Sequence, residues 1–72
     1  GIAMYIFEKI APKMQAIRES RRFTKSRVAK MTGLSYTAYC AIEKGKTDMR
    51  LSTLCKIAGA LGVEPTKFFE EG

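Results

Sequence analysis

The chain has no histidine, no tryptophan, two cysteines and two prolines in 72 residues. With histidine missing, and Cys40 and Cys55 fifteen residues apart, no quartet of nitrogen and sulfur ligands can close around a metal within one chain. The same scarcity removes the usual nucleophile–base pairs, and the acids are scattered. No catalytic constellation is readable, so neither an enzyme nor a cofactor is expected. Two cysteines are too few for a disulfide framework, which fits a reducing cytoplasm. No apolar stretch approaches a membrane span and nothing reads as a signal peptide, so no membrane partner is expected. Alternating apolar–polar runs are missing as well, so the expected class is all-α. The last shortage is of negative charge. From Lys13 to Arg50 ten bases (Lys13, Arg18, Arg21, Arg22, Lys25, Arg27, Lys30, Lys44, Lys46, Arg50) meet three acids (Glu19, Glu43, Asp48), a net +7 inside a chain of +6. A field of that sign favours a polyanionic partner.

What is present is a 46% hydrophobic chain, enough for a modest core and a single domain over 1–72 near the lower size limit for folding unaided. Its organising stretch is Lys25 to Gly45. Thr24 can accept from the free N–H groups of a first helical turn. Val28, Ala29 and Met31 supply an apolar side, and Gly33 stands where a helix must stop with positive φ. Ser35 is a second N-cap two residues later. Tyr36 to Lys44 form a second helix, closed by Gly45. Short capped helices around a glycine turn are the helix-turn-helix pattern. At 100° per residue Ala38, Tyr39 and Ile42 share one side of the second helix, which faces inward. Tyr36, Thr37, Cys40, Ala41 and Lys44 share the other. That outer side is small, polar or aromatic and carries no acid, a surface suited to the DNA major groove.

The flanks read as follows. Residues 1–9 (Gly1 to Lys9) carry Ile2, Tyr5, Ile6 and Phe7, too many large side chains to leave in water. They extend the first helix, pack as an N-terminal arm, or meet a partner subunit. Proline is tolerated in a first helical turn, so Pro12 predicts a first helix from about Ala11 to Arg21, with Ile10, Met14 and Ile17 as its buried stripe. The alternative is a longer helix from about Tyr5 with Pro12 inside it. Arg22 takes a turn position where glycine would be easier, and Phe23 is a core anchor. Leu51 to Leu61 predict a fourth helix, with Leu51, Leu54, Ile57, Ala58 and Leu61 inward. Pro65 opens a short fifth. Phe68 and Phe69 are adjacent and point apart, so one completes the core and the other is left for a dimer contact, or both fold against the domain.

Together these residues resemble the Cro and phage-repressor helix-turn-helix family, the XRE-type transcriptional regulators. Ala29, Gly33 and Ile42 fall at the family's core spacing. Ile42-Glu43-Lys44-Gly45-Lys46 looks like the segment closing its recognition helix. Leu51, Thr53-Leu54, Ile57-Ala58 and Ala60-Leu61-Gly62-Val63 look like its fourth helix. The resemblance implies a compact five-helix, lambda-repressor-like DNA-binding domain with the helix-turn-helix at helices 2 and 3. It implies that Tyr36, Thr37, Cys40 and Ala41 read bases. Thr24, Lys25, Lys44, Lys46 and Arg50 would bind phosphates, and Arg18 and Glu43 would form a structural salt bridge. Phe68 and Phe69 become candidate dimer contacts.

Four departures modify that picture. Lys25 stands where a glutamine is common, so a phosphate contact is expected there. Arg27 replaces an acid and removes the reciprocal capping box. Tyr39 replaces Ile or Val, and its hydroxyl needs a partner or an exit to solvent. The base-reading face has no Arg, Gln or Asn, which implies A·T-leaning, partly shape-based reading. The expected function is a sequence-specific double-stranded DNA-binding transcriptional regulator of bacterial or phage origin, cytoplasmic and nucleoid-associated, a homodimeric repressor on a two-half-site operator. The alternative is an antitoxin that represses its own promoter and binds a toxin through a protein face.

Overall fold

The helices of this chain stop where a residue can take a left-handed backbone. In the computed structural model, which describes residues 2–70, α1 spans Ile2–Ser20, α2 Lys25–Thr32, α3 Tyr36–Glu43 and α4 Leu51–Leu61, followed by a 3-10 turn at Pro65–Phe69. After α1, α2 and α4 the chain turns through Arg22 (φ 59°), Gly33 (φ 76°) and Gly62 (φ 76°). Each turn makes the same pair of bonds. The left-handed residue donates to a carbonyl three back, and the next residue donates to one five back: Phe23 N to Arg18 O, Leu34 N to Ala29 O and Val63 N to Ala58 O, at 3.2, 3.0 and 3.0 Å. This is the Schellman closure, which normally seats an apolar residue just beyond the helix. Phe23, Leu34 and Val63 are those residues, and all three pack against the core.

Between these stops the apolar spacing builds the core. Ile10 and Met14 come from α1, Val28 and Ala29 from α2, Tyr39 and Ile42 from α3, and Leu54, Ile57, Ala58 and Leu61 from α4, with Phe68 closing the end. The predicted N-caps form. Arg27 N donates to Thr24 Oγ1 at 3.0 Å and Ala38 N to Ser35 Oγ at 3.1 Å.

Four expectations are corrected. The first helix is the longer one, from Ile2, and Pro12 lies inside it. Pro12 has no N–H, so the Glu8 carbonyl loses its helical donor. The turn survives because Ile10 and Ala11 are 2% and 3% exposed, and because Gly45 lies against the backbone of Phe7 and Glu8. Met31 is exposed, and Thr32 takes its place on the buried side of α2. Its hydroxyl is satisfied by the Val28 and Ala29 carbonyls at 2.8 and 3.0 Å. Leu51 is 71% exposed, because the first turn of α4 projects beyond the packed face. The fifth element is a 3-10 turn, not a fifth α-helix: Lys67 N bonds to Glu64 O and Glu70 N to Lys67 O, both three residues back. The five residues from Pro65 to Phe69 hold this tighter pattern, which suits short pieces. Among the described residues no helix is long and apolar enough to cross a membrane.

Candidate nucleic-acid interface

The two capped helices place α3 with one side in the core and one in solvent. Tyr39, Ile42 and Glu43 are buried. Tyr36, Thr37 and Lys44 are exposed, and Cys40 and Ala41 are half-buried. The outer residues converge. Tyr36, Thr37, Cys40, Ala41 and Lys44, with Lys25 from the start of α2 and Lys46 from the following loop, line one shallow depression. It contains three cations and no acid. All four predicted base readers and three of the five predicted phosphate ligands therefore share one surface. Thr24 adjoins it as the cap of α2. Its oxygen accepts from Arg27 N, which leaves the hydroxyl proton available to a phosphate at a helix N-terminus.

Arg50 is not in this group. It lies at the start of α4, in a neighbouring groove with Leu34, Ala38, Ala41, Ile42, Asp48 and Met49. Ala41 borders both hollows. Asp48 lines the same groove, a negative charge that offsets part of the field Arg50 presents there. Phe68 is fully buried and so cannot be a dimer contact, whereas Phe69 is 53% exposed. The reason lies in the Pro65–Phe69 turn, which points consecutive rings in different directions.

The inner side of α3 is fixed by Arg18. Its Nε and Nη2 donate to the two Glu43 carboxylate oxygens at 2.6 and 3.1 Å, and Nη1 donates to the Phe23 carbonyl at 2.7 Å. One guanidinium thus ties the end of α1 to α3 and to the residue before Thr24. α3 and the approach to the α2 N-terminus are held by the same side chain. The bond to Glu43 is the main reason the Arg18 pKa is raised, against the opposing effect of burial. The Phe23 carbonyl could not be foreseen as a partner from residue types, because every residue carries a backbone carbonyl. Nor could the Arg21 Nε bond to Leu61 O at 2.9 Å, or the Arg27 guanidinium 4.4 Å from the centre of the Phe23 ring. Both arginines looked like solvated charge.

Tyr39 finds neither of the outcomes expected of it. The residue is 0% exposed and its hydroxyl has no hydrogen-bond partner among the described residues. Burial pushes its pKa far above the ordinary tyrosine value, and the nearby Glu43 carboxylate adds to the effect. Tyr36 is shifted in the same direction, chiefly by Cys40 one turn along. A phenol is protonated at neutral pH and can both donate and accept.

Two short helices joined through Gly33, the second presenting an acid-free outer side beside a capped helix N-terminus, define a helix-turn-helix module. Residues 14–68 match the model of the Helix-turn-helix family HTH_3, and the chain belongs to that family. The chain is 32% identical over 66 residues to the HTH-type transcriptional regulator PuuR of Escherichia coli K12, covering 89% of this chain and 36% of that protein. It is 34% identical over 55 residues to the immunity repressor protein of Bacillus phage phi105, covering 76% and 38%. The crystal structure of an HTH_3 family transcriptional regulator from Vibrio cholerae superposes with a TM-score of 0.84 at 30% identity, over 93% of this chain and 38% of that one. The chain spans little more than a third of the length of these relatives.

Proposed function

We propose that this chain is the operator-binding module of a transcriptional repressor that works as a homodimer on two half-sites of double-stranded DNA. The observation that carries the reading is the depression in which Tyr36, Thr37, Cys40 and Ala41 are ringed by Lys25, Lys44 and Lys46. In this reading α3 lies in the major groove. Thr24 and Lys25 meet phosphate on one side of it, and Lys44 and Lys46 meet phosphate on the other, with Arg50 a weaker contact beside Asp48. The names of the PuuR and phi105 relatives support regulation and repression. Dimerisation follows from size, since one module covers too few base pairs for tight specificity. Phe69, Tyr5 and Ile6 are among the exposed apolar residues and lie outside the depression, open to a second copy.

The test is selection from a random duplex pool with a salt titration. A palindromic motif with affinity falling steeply in salt is the expected result. Steep salt dependence with no motif would remove the operator reading. The second reading, an antitoxin, draws on the exposed Tyr5 and Ile6 of α1, which would then face a toxin. A toxin gene in the adjacent reading frame would favour it.

A further inference from the structure

The depression on the outer side of α3 has a floor and a rim of different chemistry. Cys40 and Ala41 form the half-buried floor, and their side chains end in a thiol and a methyl group. Around them stand the Tyr36 and Thr37 hydroxyls, the exposed Lys44 and Lys46 and the half-buried Lys25, and no side-chain amide or guanidinium lines any part of the depression. A purine presents paired polar atoms in the major groove, N7 with O6 or with N6, and these call for a forked donor or a donor–acceptor amide. The depression offers neither. Lysine can reach a guanine, but these three come from three different segments, the start of α2, the end of α3 and the loop after it, and in the reading above they meet phosphates. The base-edge feature that gains from a thiol and a methyl is an apolar one.

We infer that the feature read on this floor is the C5-methyl group of a pyrimidine, supplied alike by thymine and by 5-methylcytosine. The inference rests on the DNA-binding reading above and gives that surface its ligand chemistry. The methyl group leaves water against Cys40 Sγ and Ala41 Cβ, while the Tyr36 and Thr37 hydroxyls each offer a single hydrogen bond to the neighbouring edge. Unmethylated cytosine and deoxyuridine lack the group and leave the floor facing a water layer. Occupancy of a half-site would then respond to cytosine C5-methylation at the contacted position.

The experiment uses the whole chain and the site recovered from the random pool, measured by equilibrium binding at fixed salt. Each thymine is replaced in turn by deoxyuridine. In a second series the critical T·A pair is replaced by C·G, with and without 5-methylation. One methyl removed from water is worth about a fourfold change in Kd, and roughly fifteenfold when both half-sites are changed. The expected result is that loss at the contacted thymine, silence elsewhere, and recovery of about fourfold on methylating the substituted cytosine. In Cys40→Ser and, separately, Ala41→Ser the deoxyuridine loss should shrink toward none, with circular dichroism unchanged. A loss of equal size in both variants would mean that DNA stiffness carries the effect, and would overturn the contact. So would silence at every thymine. Loss with deoxyuridine but no recovery with 5-methylcytosine would overturn the equivalence of the two pyrimidines. A pool that yields no preferred sequence would overturn the DNA reading and this inference together, whereas a preferred site indifferent to methyl groups overturns this inference alone.

Discussion

Tyr39 and Gly45 show how far single residues depart from what their types suggest. A buried hydroxyl with no partner carries a desolvation cost of about 1–3 kcal/mol, and Tyr39 is in that position. Tyr39→Phe should therefore raise stability by about 1 kcal/mol, read as an upward shift in the denaturant midpoint at unchanged slope. The same burial gives a pH signature. The folded-state pKa of Tyr39 is raised above the ordinary 10.0, so above about pH 10 the unfolded chain loses this proton before the folded one does. Its contribution is complete below that pH and is lost as pH rises, and Tyr39→Phe should lessen the fall in melting temperature on the alkaline side. Gly33 and Gly45 both have positive φ, but a Cβ on Gly33 would meet nothing within 4 Å, whereas one on Gly45 would lie 2.9 Å from Glu8 Cα and 3.1 Å from Phe7 O. Gly33→Ala should cost about 1–2 kcal/mol for its backbone alone. Gly45→Ala should cost at least about 2 kcal/mol more, because backbone has to move, and thermal melts of the two variants compare them directly.

At the scale of elements, the local signals were the ones legible in the sequence. Thr24, Gly33, Ser35 and Gly62 stop and start helices through bonds to residues at most five away, so residue type and spacing reveal them. Arg22 was readable as a strained turn for the same reason. Met31 and Leu51 were not, since their exposure depends on where neighbouring helices end. Pro12 was ambiguous: first-turn and interior prolines look alike until Gly45 is seen packed against the preceding turn. The outer side of α3 could be listed from a helical wheel, but its convergence with Lys25 and Lys46 depends on the α2–α3 crossing. The Arg18–Glu43 bond joins elements 25 residues apart. Removing one partner of such a buried pair costs about 3–5 kcal/mol, so Arg18→Ala should leave the domain barely folded. The double change Arg18→Met with Glu43→Leu should recover most of that loss in urea titration, yet leave α3 less firmly oriented. Pro12→Ala should stabilise α1 by about 2 kcal/mol net, since the regained Glu8 carbonyl bond outweighs the freer unfolded chain.

For the whole molecule the consequence is a surface of one sign around small side chains on the outer side of α3. In the proposed reading Lys25, Lys44 and Lys46 act there through the phosphates they would neutralise. Each lysine-to-alanine change should lower the slope of log K against log salt by about one and weaken all sequences alike. Tyr36→Ala with Thr37→Ala should instead alter which sequence is preferred. These are separable signatures of grip and of reading. The most direct test of the assigned surface is a titration of the labelled protein with a selected duplex, followed residue by residue through amide shifts. The result expected is movement concentrated at Thr24, Lys25, Tyr36, Thr37, Cys40, Ala41, Lys44 and Lys46, with Tyr5, Ile6 and Phe69 still. Movement centred on Tyr5, Ile6 and Phe69, with the α3 surface silent, would contradict it.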